Sequence, residues 1–164
     1  MKLIPLTQDQ FAMVDDEDFE KVNELKWRAI KDGRLSTIKF YALSGRYIKK
    51  IQQQIRMHSY IIGMAPFGMM IDHINGNGLD NTRCNLRFAT RSQNGANSIK
   101  CKNKTSRFKG VCWNKLFNIF QAAITVDGDI LYLGRSKDEL LLAKRYDMAA
   151  IYFFEDCARP NFKR

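Results

Sequence analysis

Long apolar runs are missing from this chain. The longest, Tyr60 to Ile71, is broken by Gly63, Pro66 and Gly68, whereas a membrane-spanning helix needs about 20 consecutive apolar residues. The sequence therefore excludes a membrane span. The opening stretch Met1-Lys-Leu-Ile-Pro-Leu-Thr-Gln-Asp has no long apolar centre and no small-residue cleavage site, so no secretory signal is expected. Paired cysteines are missing too. Cys84, Cys101, Cys112 and Cys157 are spaced by 17, 11 and 45 residues, with no Cys-x-x-Cys pair. That spacing argues against a structural zinc site and a disulfide framework, and it predicts free thiols in a reducing, cytoplasmic setting. No repeat with a period of roughly 20 to 50 residues is visible, which excludes a solenoid.

Acidic residues are absent from two long windows. Gly33 to Ile71 holds no acid and six bases: Arg34, Lys39, Arg46, Lys49, Lys50 and Arg56. Asn81 to Val126 holds no acid and nine bases: Arg83, Arg87, Arg91, Lys100, Lys102, Lys104, Arg107, Lys109 and Lys115. The acids cluster at Asp15 to Glu24 and after Asp127. Over 164 residues the net charge is +10, and its uneven placement points to a polyanion surface. Hydrophobic residues make up 45% of the chain, enough to offset ordering entropy, so the chain is expected to fold as one domain or as two to three small modules.

Three segments follow from the local patterns. In residues 1–56, Lys2 to Leu6 and Phe11 to Val14 read as short strands, Asp15-Asp-Glu-Asp opens a helix with acids in its first turn, and Trp27 to Ile30, Ile38 to Leu43 and Ile51 to Met57 read as strands. This small α+β module shows no chemistry. It is expected to be a scaffold, or an arm gripping phosphates with Lys39, Arg46, Lys49 and Lys50. In residues 57–99, a short helix from Arg56, a strand from Gly68 to His73, a Gly/Asn-rich loop and a strand from Asn85 to Phe88 lead to Thr90, a candidate cap for a helix carrying Asn94 and Asn97. In residues 100–164, a basic linker precedes strands at Lys109 to Trp113, Phe120 to Val126 and Ile130 to Leu133, with a hairpin turn at Asp127-Gly128. Ser136 is expected to cap a helix over Lys137 to Phe154 that buries Leu140, Leu141, Ala143, Tyr146, Ala149, Ala150 and Phe153.

The residues that carry chemistry lie in the middle segment: Asp72-His73, Asn85 twelve residues later and Asn94 nine further on. Hydrolysis of a phosphodiester needs a hard cation on the phosphate, a base for the water and relief for the leaving oxygen. Asp72 offers a carboxylate, and Asn94 an amide oxygen that adds no negative charge against the phosphate. Mg²⁺ takes oxygen ligands of this kind. His73 is neutral enough at pH 7 to act as a base. Asn85 is placed to fix the loop and so to aim His73.

The run Ile71-Asp-His-Ile-Asn-Gly-Asn-Gly-Leu-Asp-Asn-Thr-Arg-Cys-Asn-Leu-Arg-Phe-Ala-Thr-Arg-Ser-Gln-Asn-Gly-Ala-Asn97 resembles the HNH endonucleases, and most closely the group of phages and mobile introns that ends in Asn rather than His. The resemblance implies a ββα-metal finger that cuts DNA with one divalent ion, Mg²⁺ or Mn²⁺. It implies Asp72 and Asn94 as metal ligands, His73 as general base and Asn85 as the structural middle residue. His58 falls where relatives carry a His before a short helix, which implies packing or a phosphate contact. Asn97 is a further candidate. The flanking Cys pairs with which many relatives hold structural zinc are absent, so no structural zinc is expected.

A second resemblance covers the third segment. Ser106-Arg-Phe-Lys-Gly-Val-Cys-Trp113, Phe120-Gln-Ala-Ala-Ile, Leu131-Tyr-Leu-Gly134, Ala143-Lys-Arg-Tyr-Asp147-Met-Ala-Ala and Asn161-Phe are similar to the ethylene-response-factor (APETALA-type) domain. That domain lays a three-stranded sheet in the DNA major groove, with one helix behind. Here Cys112, Phe120 and Thr125 replace two Arg and a Trp of the plant pattern, which implies weaker or altered base reading and more reliance on phosphates. Arg87, Arg107, Lys109, Trp113 and Lys115 are the expected DNA contacts, with edge packing as the alternative for Trp113.

The expected fold class is α+β: an N-terminal α+β module (1–56), an HNH core (57–99), then a linker and a three-stranded antiparallel sheet packed on one helix (100–164). The expected function is a metal-dependent endonuclease acting on double-stranded DNA in the cytoplasm of a bacterial host, with one site nicking one strand. A non-catalytic DNA-binding protein that keeps the HNH scaffold is the alternative. RNA binding ranks last, because no aromatic RNA platform motif is present.

Overall fold

Lys2–Pro5 (β1) and Phe11–Val14 (β2) pair antiparallel, Lys2 opposite Val14, across a turn in which Gln8 and Asp9 both take positive φ, the twist that matches a tight hairpin. Alternation along these strands buries Ile4, Ala12 and Val14. These belong to a computed structural model that describes residues 1–32, 39–48, 51–99 and 105–162. Arg34, Lys49, Lys50, Lys100, Cys101, Lys102 and Lys104, with most of the expected basic linker and two bases of the expected phosphate-gripping arm, lie outside the described residues.

The chain is mixed α+β and divides into two compact units, 1–88 and 89–164. In the first, helix α1 (Asp16–Asn23) follows the hairpin and keeps Asp16, Glu17 and Asp18 in its first turn. Strands β3 (Arg28–Asp32), β4 (Lys39–Ile48) and β5 (Ile51–Arg56) form an antiparallel sheet in that order. Helix α2 (Met57–Ile62) buries Met57, His58 and Ile61 and stops at Gly63, whose φ of 86° lets the chain turn away. Strand β6 (Met69–His73) pairs with β7 (Leu86–Thr90) in a two-stranded sheet. The core gathers Ile4, Val14, Val22, Trp27, Ala42, Met57, Ile61, Leu79 and Leu86.

In the second unit, helix α3 (Arg91–Asn97) starts at Thr90, as expected. The Thr90 hydroxyl accepts from the Gln93 backbone N–H, and the Gln93 side chain accepts from the Thr90 backbone N–H, so the two form a full capping box. Strands β8 (Val111–Asn114), β9 (Ile119–Val126) and β10 (Asp129–Ser136) make an antiparallel sheet in the order β10-β9-β8. Asp127 and Gly128 turn the last hairpin with positive φ. Helix α4 (Glu139–Phe154) packs on the sheet through Leu142 and Ala143 against Val111 and Ala122.

Two expectations about α4 need correction. Its cap is Asp138, whose Oδ1 accepts from the Leu141 N–H at 3.1 Å; the Ser136 hydroxyl accepts from the Asp138 N–H in the turn before. The helix starts two residues later than expected, and its inward face is rotated. Leu142, Ala143, Tyr146, Asp147, Ala150 and Phe154 are buried, while Leu140, Leu141 and Phe153 are exposed. Asp147 is buried because its carboxylate accepts three N–H donors, two from Asn161 and one from Phe162. A purely apolar pattern does not find that face.

Two glycines are fixed by close approach. A Cβ on Gly110, at φ 77°, would enter the Tyr146 ring. A Cβ on Gly78 would meet the Phe40 carbonyl oxygen and come within 2.6 Å of the Tyr41 ring, so the 74–85 loop lies tight on β4.

Candidate active site

Strand β6 ends in two buried polar residues, Asp72 at 6% and His73 at 5% exposure. The loop that follows has almost no apolar anchors, and it is held by its own side chains. Asn75 donates to the Asp80 carboxylate at 2.7 Å and accepts from the Asn77 N–H at 2.8 Å. Asn77 accepts from the Leu79 N–H, and Asp80 accepts from both the N–H and the hydroxyl of Thr82. Asn and Asp recur here because their short side chains copy a backbone turn.

Asn85 bonds the loop at two points. Its Oδ1 accepts from the Asn75 N–H at 2.9 Å and its Nδ2 donates to the Asp80 carbonyl at 2.8 Å. Its own backbone carbonyl accepts from the Ile74 N–H at 2.9 Å. One buried amide thus ties both ends of the loop beside His73.

The loop is also held from the N-terminal segment, which the sequence pattern leaves as a bare scaffold. Met13 donates to the Leu79 carbonyl and accepts from the Asn81 N–H, both at 2.8 Å. Arg83 donates to Asp18 through Nε at 2.7 Å and Nη2 at 2.8 Å, with Glu17 at 2.9 Å, and its backbone N–H donates to Asp15 at 2.7 Å. Asp18 holds the guanidinium pKa above its ordinary value. The acidic cluster at the start of α1 is therefore a clamp on the loop as well as a helix start.

Three rings meet around the base candidate. The His58 and His73 centroids lie 5.1 Å apart, edge to face, and the Tyr41 ring lies 5.8 Å from His73 and 6.2 Å from His58. His73 Nε2 faces Asn81 Oδ1 at 3.4 Å. Burial lowers the His73 pKa below 6.5, and the contact with Asn81 and the charge of Asp72 oppose it. His58 is pushed down to about 3, first by burial and then by the charges of His73 and Arg56. Both rings are thus held neutral, as an acceptor of a proton from water must be.

Asp72 accepts from Arg87 Nε at 3.0 Å and Nη2 at 2.8 Å on a single oxygen, Oδ2. Arg87, expected at DNA, is thus turned onto the expected metal ligand. Asp72, His73, Asn85, His58 and Arg87 belong to the first unit. Asn94, half-buried, and Asn97, buried, lie on α3 in the second.

Of the other expected DNA contacts, Arg107 is exposed beside Glu139 at 3.7 Å, and Lys115 is exposed in the β8–β9 turn. Trp113 pairs with Phe120 in register, their rings 4.7 Å apart, on the side of the sheet that carries Val111 and Ala122. Lys109 is partly buried. Its ammonium donates to the Ala96 carbonyl and, at 2.9 Å, to the Ser98 carbonyl, at the C-terminal end of α3. Burial and the charge of Arg159 pull its pKa down to about 8. Asn161, noted above only as part of a resemblance, accepts from the Lys109 N–H at 2.7 Å and donates to the Asp147 carboxylate, closing the second unit.

Among the described residues, no group of three His, Cys, Asp or Glu is placed to hold a metal, and no helix is long and apolar enough to cross a membrane. Cys84, Cys112 and Cys157 are free.

The functional reading of this arrangement rests on comparison with other proteins. The HNH endonuclease family model matches residues 59–96, from α2 through the loop to α3. Protein 3.8 of Escherichia phage T7 is 32% identical over 83 residues, covering 51% of this chain and 69% of that protein. The uncharacterized HNH endonuclease L560 of Acanthamoeba polyphaga mimivirus is 31% identical over 153 residues. No solved structure matches the chain. Because the likeness to the mimivirus protein runs through 92% of this chain and 74% of that protein, and the matched family segment holds Asp72, His73, Asn85 and Asn94, this chain belongs to the HNH endonucleases.

Proposed function

We propose that the protein is a divalent-metal-dependent endonuclease that hydrolyses phosphodiester bonds in double-stranded DNA, of the homing type carried by phages or mobile elements. The observation that supports it best is the end of β6, where Asp72 and His73 are buried side by side and the loop after them is tied at both ends by Asn85. The donors suit a hard cation. An Asp carboxylate and an Asn amide are both oxygen ligands, and Mg²⁺ binds through one or two such groups while keeping its waters. Asp72 and Asn94 are the residues to which the family resemblance would assign it. When bound, the ion would supply Lewis-acid stabilisation to the scissile phosphate and the leaving oxygen.

The protein groups have separate tasks in this reading. His73, kept neutral by burial, takes the proton of the attacking water. Asn85 holds the loop so that the ring keeps its aim. Arg87, which holds Asp72 in this structure, would turn to a phosphate oxygen when that carboxylate serves as ligand. Residues 105–162 place the enzyme on DNA in the manner of an ethylene-response-factor domain, with Arg107, Lys115 and the sheet face towards the duplex. Lys109 would join them only by leaving the carbonyls of α3.

One observation favours a second reading. Arg87 holds the Asp72 carboxylate at 2.8 Å, and a protein that binds DNA without cutting it could keep that ion pair for good. Supercoiled plasmid incubated with Mg²⁺ or Mn²⁺, against an EDTA control and the His73→Ala variant, separates the two. The nuclease reading expects open-circle product that needs both metal and His73. Uncut plasmid in the presence of strong, salt-sensitive binding, with a library of candidate target sites also left intact, would overturn it in favour of the second.

A further inference from the structure

Asn81 is the residue the established parts of the site leave unexplained. It is 1% exposed, and its backbone N–H is fixed on Met13 at 2.8 Å. It stands between Asp80, which carries the loop's hydrogen bonds, and Thr82, which is also buried. Its side-chain Oδ1 faces His73 Nε2 at 3.4 Å, while its Nδ2 has no hydrogen-bond partner among the described residues. A buried amide with one end unsatisfied is costly, and a residue kept only for packing would shed that amine. What the amide offers at this place is an oxygen without charge, aimed at one nitrogen of a ring that Tyr41 and His58 hold from the sides.

We propose that Asn81 is a positioning residue that sets the tautomer of His73: its amide oxygen accepts the Nε2–H, which places the ring's lone pair on Nδ1. A neutral imidazole carries its proton on one nitrogen, and the partner at that nitrogen decides which. A carboxylate here would fix the same nitrogen but would also favour the doubly protonated ring, which accepts nothing. Asn81 supplies the acceptor and omits the charge. The orphaned Nδ2 is the consequence, since an amide cannot present its oxygen to His73 without its amine pointing elsewhere. This inference deepens the nuclease reading and rests on it for its kinetic consequence, but the tautomer itself is observable without any reaction.

The chain contains only two histidines, His58 and His73, so ¹⁵N-histidine labelling of the full-length protein gives two rings to assign, and the His73→Ala variant identifies which is which. Nitrogen shifts and their couplings to ring protons, read with and without Mg²⁺, report the protonated nitrogen directly. The wild type is expected to show His73 as the Nε2–H form. The near-isosteric Asn81→Leu is expected to release it to a mixture, and to lower kcat for nicking by about 10- to 100-fold with KM for DNA unchanged. A wild-type ring protonated on Nδ1 would mean the amide is turned the other way and would overturn the proposal, whether or not the leucine variant folds. So would an Asn81→Leu protein that keeps the wild-type tautomer. A correct tautomer in a protein that fails to nick any DNA would instead leave Asn81 as proposed and sink the nuclease reading.

Discussion

The clamp between Arg83 and Asp18 should be strongly asymmetric when it is broken. The Asp18 side chain is 4% exposed and that of Arg83 47%. Removing the arginine strands a carboxylate that water cannot reach, whereas removing the aspartate leaves a guanidinium that is half in water and still has Glu17 at 2.9 Å. Breaking a fully buried pair from one side costs about 3–5 kcal/mol, and an exposed pair is worth about 0–1 kcal/mol. With one partner buried and the other half exposed, Arg83→Ala should cost about 2–3 kcal/mol and Asp18→Ala about 1 kcal/mol. The double variant should resemble Arg83→Ala or be milder, because it no longer strands the carboxylate. The assay is urea denaturation followed by the fluorescence of Trp27, buried in the same unit and bonded through Nε1 to the Val22 carbonyl. A Trp113→Phe background silences the other tryptophan. Equal costs for the two single variants, or an Arg83→Ala cost within about 0.5 kcal/mol of zero, would refute the clamp.

Gly78→Ala should cost about 1–3 kcal/mol, because the new methyl meets the Phe40 carbonyl and the Tyr41 ring; calorimetry would register it, and an unchanged transition temperature would mean that the loop has room to lift. The second unit should have a stability maximum in alkaline solution. Lys109, held at about 8 instead of 10.5, binds its proton between those values only when unfolded, so stability rises with pH there; Tyr146, raised to about 12 from 10.0, keeps its proton only when folded, so stability falls with pH from 10 upward. Urea midpoints read on Trp113 from pH 7.5 to 11 should therefore rise and then fall; Lys109→Met should flatten the rise and Tyr146→Phe the fall, and a flat wild-type profile would remove both assignments. Asn161→Ala strips the side-chain donor from the buried Asp147 carboxylate and leaves the backbone donor at position 161 in place, and should cost about 1.5–3 kcal/mol on the same probe; a loss under about 0.5 kcal/mol would show that water replaces the side chain.

Much of this architecture is legible in the chain because local signals agree with tertiary need. The β1–β2 and β9–β10 hairpins, the Asp127-Gly128 turn and the Thr90 cap all follow from residues within a few positions of one another. The two hydrogen bonds of Asn85 are local in the same way: its partners, Asn75 and Asp80, lie in the loop just before it. What escapes are pairings that only folding brings together. Arg83 and Asp18 are 65 residues apart, and an acidic first turn already has a sufficient local explanation as a helix start. Asp147 and Asn161 defeat an apolar-periodicity argument because a satisfied carboxylate occupies a core position. Lys109 reads as a free surface cation until its carbonyl partners, thirteen and eleven residues upstream, are in place. Asn81 is hidden in a run of Asn and Gly where every residue looks like turn chemistry.

The way α3 is held has a consequence for anyone who cuts this gene. The helix is seven residues long, far below the length at which a helix persists on its own in water. Three of its tethers come from downstream: Lys109 at its last carbonyls, Arg159 through a backbone bond to Ala96, and Ser92 bonded to the Asp127 N–H. The segment that carries the family likeness stops at residue 96, inside that helix. A boundary drawn from likeness and a boundary drawn from folding therefore disagree. A shortened gene ending near codon 100 would encode the whole recognisable motif and still strip those three tethers from the helix that carries Asn94. Its loss of activity would then be misread as proof that the missing part chooses the DNA. By the same logic, grafting a foreign C-terminal module onto this nuclease segment should fail unless the graft brings its own replacement for those three tethers.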